Sequence, residues 1–348
     1  MSFTTFWCRV LPRFYAPFVV MSTLNLTNGG AILDDGGGYS RHSAHEIIQP
    51  HPRYWLSDGS LIVRTQGHAF KIHRTLLHRH SPVLAALSTS QEANCDSMHG
   101  CPLVYIPDER GVSSADFEAL LAHLYHDTPI DSDAPFSHLA AVLRASSKEQ
   151  LDFPSIHELV RRRLGKLIPS ELEALLKASV EQPDEALTLA VEYDIDSIKK
   201  SLFYVLATHA DLDHDEPDGM LPVPDAPVDS TPSQPRFNLS PALTRRCQAL
   251  LDELVAHFTP ILFTVATAHH MACTDIFAET WMPLVIQPAL ESSGLCRPLE
   301  TLQTIIELDW AAHGLCEECV RDKREEWRGE QKAIWDRMDG WLALTVKA

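Results

Sequence analysis

The sequence predicts an α+β fold, a small sheet with helices clustered on one side, followed by a mostly α-helical remainder. Three observations carry this. Residues 60–64 and 68–72 are short β-branched or apolar runs about a Gln66-Gly67 turn, which reads as a hairpin. Residues 103–106 form a third such run, closed by Pro107-Asp108. Phe117, Leu120, Leu121, Leu124 and Tyr125 then fall at the i, i+3, i+4, i+7, i+8 spacing of one helix face.

Order is expected to begin near Tyr54-Trp55. Residues 1–50 contain Asn28-Gly29-Gly30 and Gly36-Gly37-Gly38, loop formers that lose much entropy on ordering, and are read as a disordered extension. The glycines lack the Gly-Lys-Ser/Thr ending of a phosphate loop. Residues 1–33 hold Arg9 and Arg13, many Ser and Thr, and no Asp or Glu, a composition similar to a mitochondrial transit peptide. The preferred reading is an upstream extension without a folding role, with Met21 as an alternative start.

After the hairpin a helix is expected from about Thr75. Ser81-Pro82 restarts helicity, because Ser caps and Pro suits the first helical position, with Val83, Leu84 and Leu87 inward. Residues 88–101 are polar and irregular. Ser113 or Ser114 caps the Phe117 helix. Leu139, Val142 and Leu143 mark the next helix. Pro154 opens another, with Ile156, Leu159, Val160 and Leu164 inward.

The chain has 348 residues, enough for two domains or one with extensions. Its formal net charge of −18 argues against a general nucleic-acid binder and against a polybasic membrane surface. No apolar run has the length of a membrane-spanning helix. The eight cysteines are scattered, which points to reduced thiols in cytosol or nucleus rather than a secreted disulfide scaffold.

Asp58, then Phe70, His73, Arg74 and Leu77, then Ser81-Pro82, then a helix with Phe117 and Leu121 ending near Tyr125, together resemble a BTB/POZ domain over residues 54–165. The resemblance implies a protein-interaction module with self-association. It marks Asp58, Gly59, Phe70, His73, Arg74, Leu77, Ser81, Pro82 and Tyr125 as family motif and candidate interaction face, with Asp58 close to Arg74 at a dimer face or charged pocket. The residues alone allow a plainer reading. Asp58 and Arg74 satisfy each other as a buried pair, and His73 is a hydrogen-bonded core residue. Family dimers often use an added strand and helix ahead of the first core strand. No clear helix precedes Tyr54 here, so the usual swapped dimer is not expected.

The second half resembles fungal-type BTB proteins with a helical extension. Ser170-x-x-Glu173 reads as a capping box before Leu172, Leu175 and Leu176. Ala186, Leu187, Ala190 and Val191 form one apolar stripe, and Ile195, Ile198, Leu202, Val205 and Leu206 the next, a helical hairpin similar to a BACK-like extension. Residues 211–235 are acidic and Pro-rich without Lys or Arg and read as a spacer, Ser230-Thr231-Pro232 being a phosphorylation candidate. Ser240-Pro241 restarts structure, with Leu243, Leu250, Leu251, Leu254 and Phe258 core-like. Trp310, Trp327, Trp335 and Trp341 are expected to pack inward. The domain plan is therefore 1–50 extension, 51–168 BTB-like domain, 169–210 BACK-like extension, 211–236 linker and 237–348 helical C-terminal region.

Little in the chain reads as chemistry. His313-x-x-Cys316-x-x-Cys319, with Cys296 as a fourth ligand, is the best zinc candidate. The set is incomplete, and a helical pair three apart is also one buried face, so no metal and no cofactor is expected. His269-His270, with Cys273 and Asp275 nearby, is poor chelating geometry as a pair, because neighbours on a helix point apart. Arg161-Arg162-Arg163 reads as a solvated face. No nucleophile elbow or His-Glu-x-x-His motif is present, so no catalytic residue is named and an enzyme is not expected. The expectation is an adaptor or scaffold that binds other proteins, with no nucleic acid or membrane partner. The resemblance implies either a cullin ubiquitin-ligase substrate adaptor or a transcriptional cofactor scaffold, in cytoplasm or nucleus. A zinc-binding structural domain at the C-terminus is the remaining alternative.

Overall fold

The computed structural model of the chain describes residues 49–92, 97–131, 133–209 and 238–344. The expected N-terminal extension and the acidic linker with Ser230-Thr231-Pro232 lie outside the described residues, apart from a few at their edges. The described residues form one compact unit.

The sheet has five strands: β1 (Gln49–Trp55), β2 (Leu61–Arg64), β3 (His68–Ile72), β4 (Ser97–Met98) and β5 (Cys101–Tyr105), in the order β1-β3-β2-β5-β4. The expected hairpin is β2–β3, with Val63 opposite Phe70 and Gly67 at φ +80° in its turn. β5 adds parallel to β2, Ile62 opposite Leu103, and β1 adds parallel to β3. β1 is not among the expected strands, since order is expected only from near Tyr54, and it carries Pro50 and Pro52, which lack a ladder N–H. An edge strand bonds on one side only and tolerates them. The sheet buries Leu61, Val63, Phe70, Ile72 and Val104 on one face, and a smaller set, Ile62, Ala69, Cys101 and Leu103, on the other.

Helices α1 (Arg74–His80) and α2 (Pro82–Glu92) follow β3, and α3 (Ser114–Leu124), α4 (Phe136–Ser146) and α5 (Pro154–Leu167) follow β5. Ser113 caps α3 by accepting the Asp116 N–H at 3.0 Å. The face predicted from period packs as expected, with Phe117, Leu120 and Leu121 buried. Phe117 meets Phe70 edge-on at 4.9 Å, which fastens the helix layer to the sheet.

Beyond the α+β part come α6 (Leu172–Leu175), α7 (Pro183–Glu192) and α8 (Asp196–His209). The Ser170–Glu173 capping box does not form. α6 is a single turn whose N-cap, Glu171, makes no side-chain capping bond. Four residues cannot repay helix nucleation, so the turn is held by burial of Leu175 instead. α7 and α8 form the expected hairpin.

The C-terminal region holds α9 (Pro241–Phe263), α10 (Met271–Trp281), α11 (Gln287–Glu291), α12 (Pro298–Glu307) and α13 (Glu317–Trp341). Ser240 caps α9 through the Leu243 N–H, as its sequence suggests. A π-helical turn at Met282–Ile286 joins α10 to α11, where Pro283 and Pro288 remove backbone donors from the ladder. Trp310 and Trp327 are buried with Phe277 and Trp281, ring centroids 5.1–6.2 Å apart, so these aromatics pack as core. One continuous apolar core runs from Tyr54 to Leu342.

Candidate functional site

Three polar residues of the predicted motif meet at the seam between the β2 turn, the start of α1 and the end of α3. His73 is the N-cap of α1. Its Nε2 lies 3.2 Å from Asp58 Oδ2 and its Nδ1 lies 3.0 Å from the Tyr125 hydroxyl. The same hydroxyl accepts the His73 backbone N–H at 3.0 Å. One ring nitrogen of His73 thus faces the Asp58 carboxylate and the other the Tyr125 hydroxyl, so the ring bridges the two. The hydrogen bond with His73 holds the Asp58 carboxyl below its ordinary value. Burial raises the Tyr125 hydroxyl above its own.

The seam is extended by Tyr54, which stacks on Tyr125 at 5.8 Å and donates to Asp127 at 2.9 Å. His51 on β1 is buried, stacks on Phe70 at 4.5 Å and lies 3.4 Å from Glu118. His51 carried no sequence signal, being one histidine in a Pro-broken run.

The other motif residues are structural. Ser81 is fully buried; it donates to the Leu151 carbonyl and accepts the Leu84 N–H at 2.9 Å, capping α2 ahead of Pro82. Leu77 and Phe70 are core. At Gly59 an added Cβ would lie 2.9 Å from the Lys71 backbone, so the close strand approach requires glycine. Arg74 donates from Nε to His78 at 3.5 Å, and its N–H bonds Ser60 at 3.1 Å. The premise of a buried Asp58 does not hold. Its side chain is 77% exposed, because the turn that carries it projects from the sheet.

Element order and motif thus agree with one family. Residues 51–166 match the BTB/POZ domain model. The BTB/POZ domain therefore comprises β1 through α5, and the Asp58–His73–Tyr125 seam ties its sheet to its helices. BTB/POZ domains are protein-interaction modules, so the first ordered third of this chain is one. No curated protein and no solved structure matched the chain.

A triad that sequence reading missed couples the BTB/POZ domain to the helices after it. Arg144 on α4 grips the nearly buried Asp116 of α3 through Nε and Nη2 at 2.8–3.2 Å and reaches Glu185 of α7 at 2.6 Å. Asp116 also sits in the first turn of α3, where the helix dipole favours a carboxylate.

The metal candidates sort differently from the sequence expectation. Cys316 and Cys319 are brought together, but His313 is exposed in the preceding turn and Cys296 lies before α12; neither belongs to the group. In their place stand His270 and Cys273. His269 turns away to Asp322 at 3.4 Å, so the adjacent histidines indeed do not chelate together, while His270 works with residues on another segment. The missed signal was a His-x-x-Cys at 270–273 matching the Cys-x-x-Cys at 316–319. The Cys319 backbone N–H and the His270 ring pull the Cys316 thiol below its ordinary value, and burial raises that of Cys319.

Proposed function

We propose that the chain is an adaptor or scaffold that self-associates through its BTB/POZ domain and presents a partner-binding surface on the helices that follow. The observation that carries this is the family match over residues 51–166. Tyr105 and Leu159, with Leu167 just beyond, are large apolar side chains left exposed there. The Arg144 ion pairs, which tie α3 and α4 of the domain to α7, suit a scaffold built from both parts.

Within that reading, the finer assignments are a substrate adaptor for a cullin ubiquitin ligase, residence in cytoplasm or nucleus, and a fungal-type BTB protein with residues 169–210 as a BACK-like extension. Their support is the family resemblance. The chain is not read as an enzyme.

Light scattering on the full chain, with a pull-down against a purified cullin, tests the proposal. A dimeric mass and stoichiometric cullin capture are expected. A monomer over a wide concentration range that captures no cullin would remove both self-association and the ligase role. Imaging of a tagged full-length chain tests the compartment.

A further inference from the structure

We propose that His270, Cys273, Cys316 and Cys319 form a structural zinc site that pins the start of α10 to the start of α13. Zinc prefers a tetrahedral set of Cys and His ligands, with Zn–S about 2.3 Å and Zn–N about 2.0–2.1 Å. A tetrahedron of those lengths has S···S edges of about 3.8 Å and S···N edges of about 3.6 Å. Cys273 Sγ lies 3.8 Å from Cys316 Sγ. His270 Nε2 lies 3.7, 3.3 and 3.5 Å from the sulfurs of Cys273, Cys316 and Cys319. All four donor atoms lie within 4.8 Å of one another. The spacing is that of ligands around one ion and well beyond the roughly 2.05 Å of a disulfide.

The surroundings favour thiolates. His270 is the N-cap of α10 and Cys316 the N-cap of α13. Neither side chain caps its own helix. Both helices therefore present their positive ends to the cluster while their N-cap side chains turn to it as ligands. The Cys273 sulfur accepts the backbone N–H of Cys316 at 3.5 Å. Such a donor fixes ligand orientation and spreads negative charge. On binding, three thiols release their protons to solvent, and one divalent ion with three thiolates leaves a single net negative charge, which the two helix ends offset.

The ligand set also names the ion and its role. Three thiolates and an imidazole at tetrahedral spacing select zinc over calcium or magnesium, which take oxygen ligands. All four positions are filled by protein, so the site is closed and structural, without an open position for catalysis. It clamps a segment that begins at α10 and ends at α13, directly beside the Phe277, Trp281, Trp310 and Trp327 cluster.

The test is the metal content of the purified full chain by elemental mass spectrometry. About one zinc per chain is expected. Cys316→Ser with Cys319→Ser should lose it, while His313→Ala and Cys296→Ser keep it. Because the double variant could fail to fold, the wild-type chain is also read directly. Replacement by cobalt(II) should give the absorption of tetrahedral thiolate coordination, and a strong chelator should lower its thermal midpoint. The proposal fails if the native chain carries no zinc, carries iron in its place, keeps the same midpoint with chelator, or shows a Cys316–Cys319 disulfide.

Discussion

Tyr125 serves His73 twice, through its backbone N–H and its ring, and so anchors the start of α1 to the end of α3. Tyr125→Phe keeps the aromatic stack on Tyr54 but leaves two half-buried groups without a partner. The expected loss is about 1–3 kcal/mol in urea unfolding, the cost of an orphaned polar group. An unchanged unfolding midpoint would show that water replaces the hydroxyl. A second residue-scale effect concerns His123, His138 and His157, whose burial lowers each imidazole below its ordinary value. The unfolded chain takes up these protons near pH 6.5 and the folded chain only at lower pH, so stability present above about 6.5 is lost as pH falls. His157 stands against Tyr193 at 5.3 Å, with its Nδ1 3.3 Å from the Leu143 carbonyl. His157→Gln should flatten the decline in unfolding midpoint between about pH 7.5 and 5.5 relative to the wild type. Parallel pH profiles would assign the loss to other groups.

At the scale of elements, Arg144 joins α3, α4 and α7. Arg144→Ala leaves Asp116, whose side chain is 9% exposed, without its cation. The expected cost is about 3 kcal/mol, and Arg144→Lys should recover only part, because an ammonium cannot form the two-pronged contact. A loss under about 1 kcal/mol would place the triad with ordinary surface pairs. Which elements exist was largely legible in the residues. Phe117, Leu120 and Leu121 announce α3, and Ser81-Pro82 and Ser240-Pro241 announce α2 and α9, because both signals are local. Two features are not legible for the opposite reason. The prolines of β1 speak against a strand unless its place at the sheet edge is known, and Ser170-x-x-Glu173 has capping chemistry but too short a helix behind it.

For the whole molecule, the helices after the BTB/POZ domain do not stand apart from the C-terminal region. Tyr204 of α8 is buried, donates to Glu300 of α12 and accepts the Leu299 N–H at 3.2 Å; burial, with Glu300 nearby, keeps its hydroxyl protonated. Lys200 pairs with Asp339 at 2.9 Å and lies over Trp335 at 4.6 Å. A chain ending after residue 209 would uncover Phe203, which lies under Arg246, and Tyr204. It should bind a hydrophobic dye and aggregate, whereas the full chain stays dispersed. A stable, dye-negative truncation would show that α8 needs no cover.

By itself the sequence determined the kind of fold, the BTB/POZ motif and most helix positions, since periods of two and 3.6 residues, caps and turn glycines act within a few positions along the chain. Only the tertiary structure decided which distant side chains meet. Asp58 is partnered by His73 on an exposed turn, Asp116 by Arg144, and Cys316 and Cys319 by His270 and Cys273 rather than by His313 and Cys296. Spacing along a chain limits which residues of one segment share a face. The approach of two segments is set by how their helices pack, and that depends on the whole core at once.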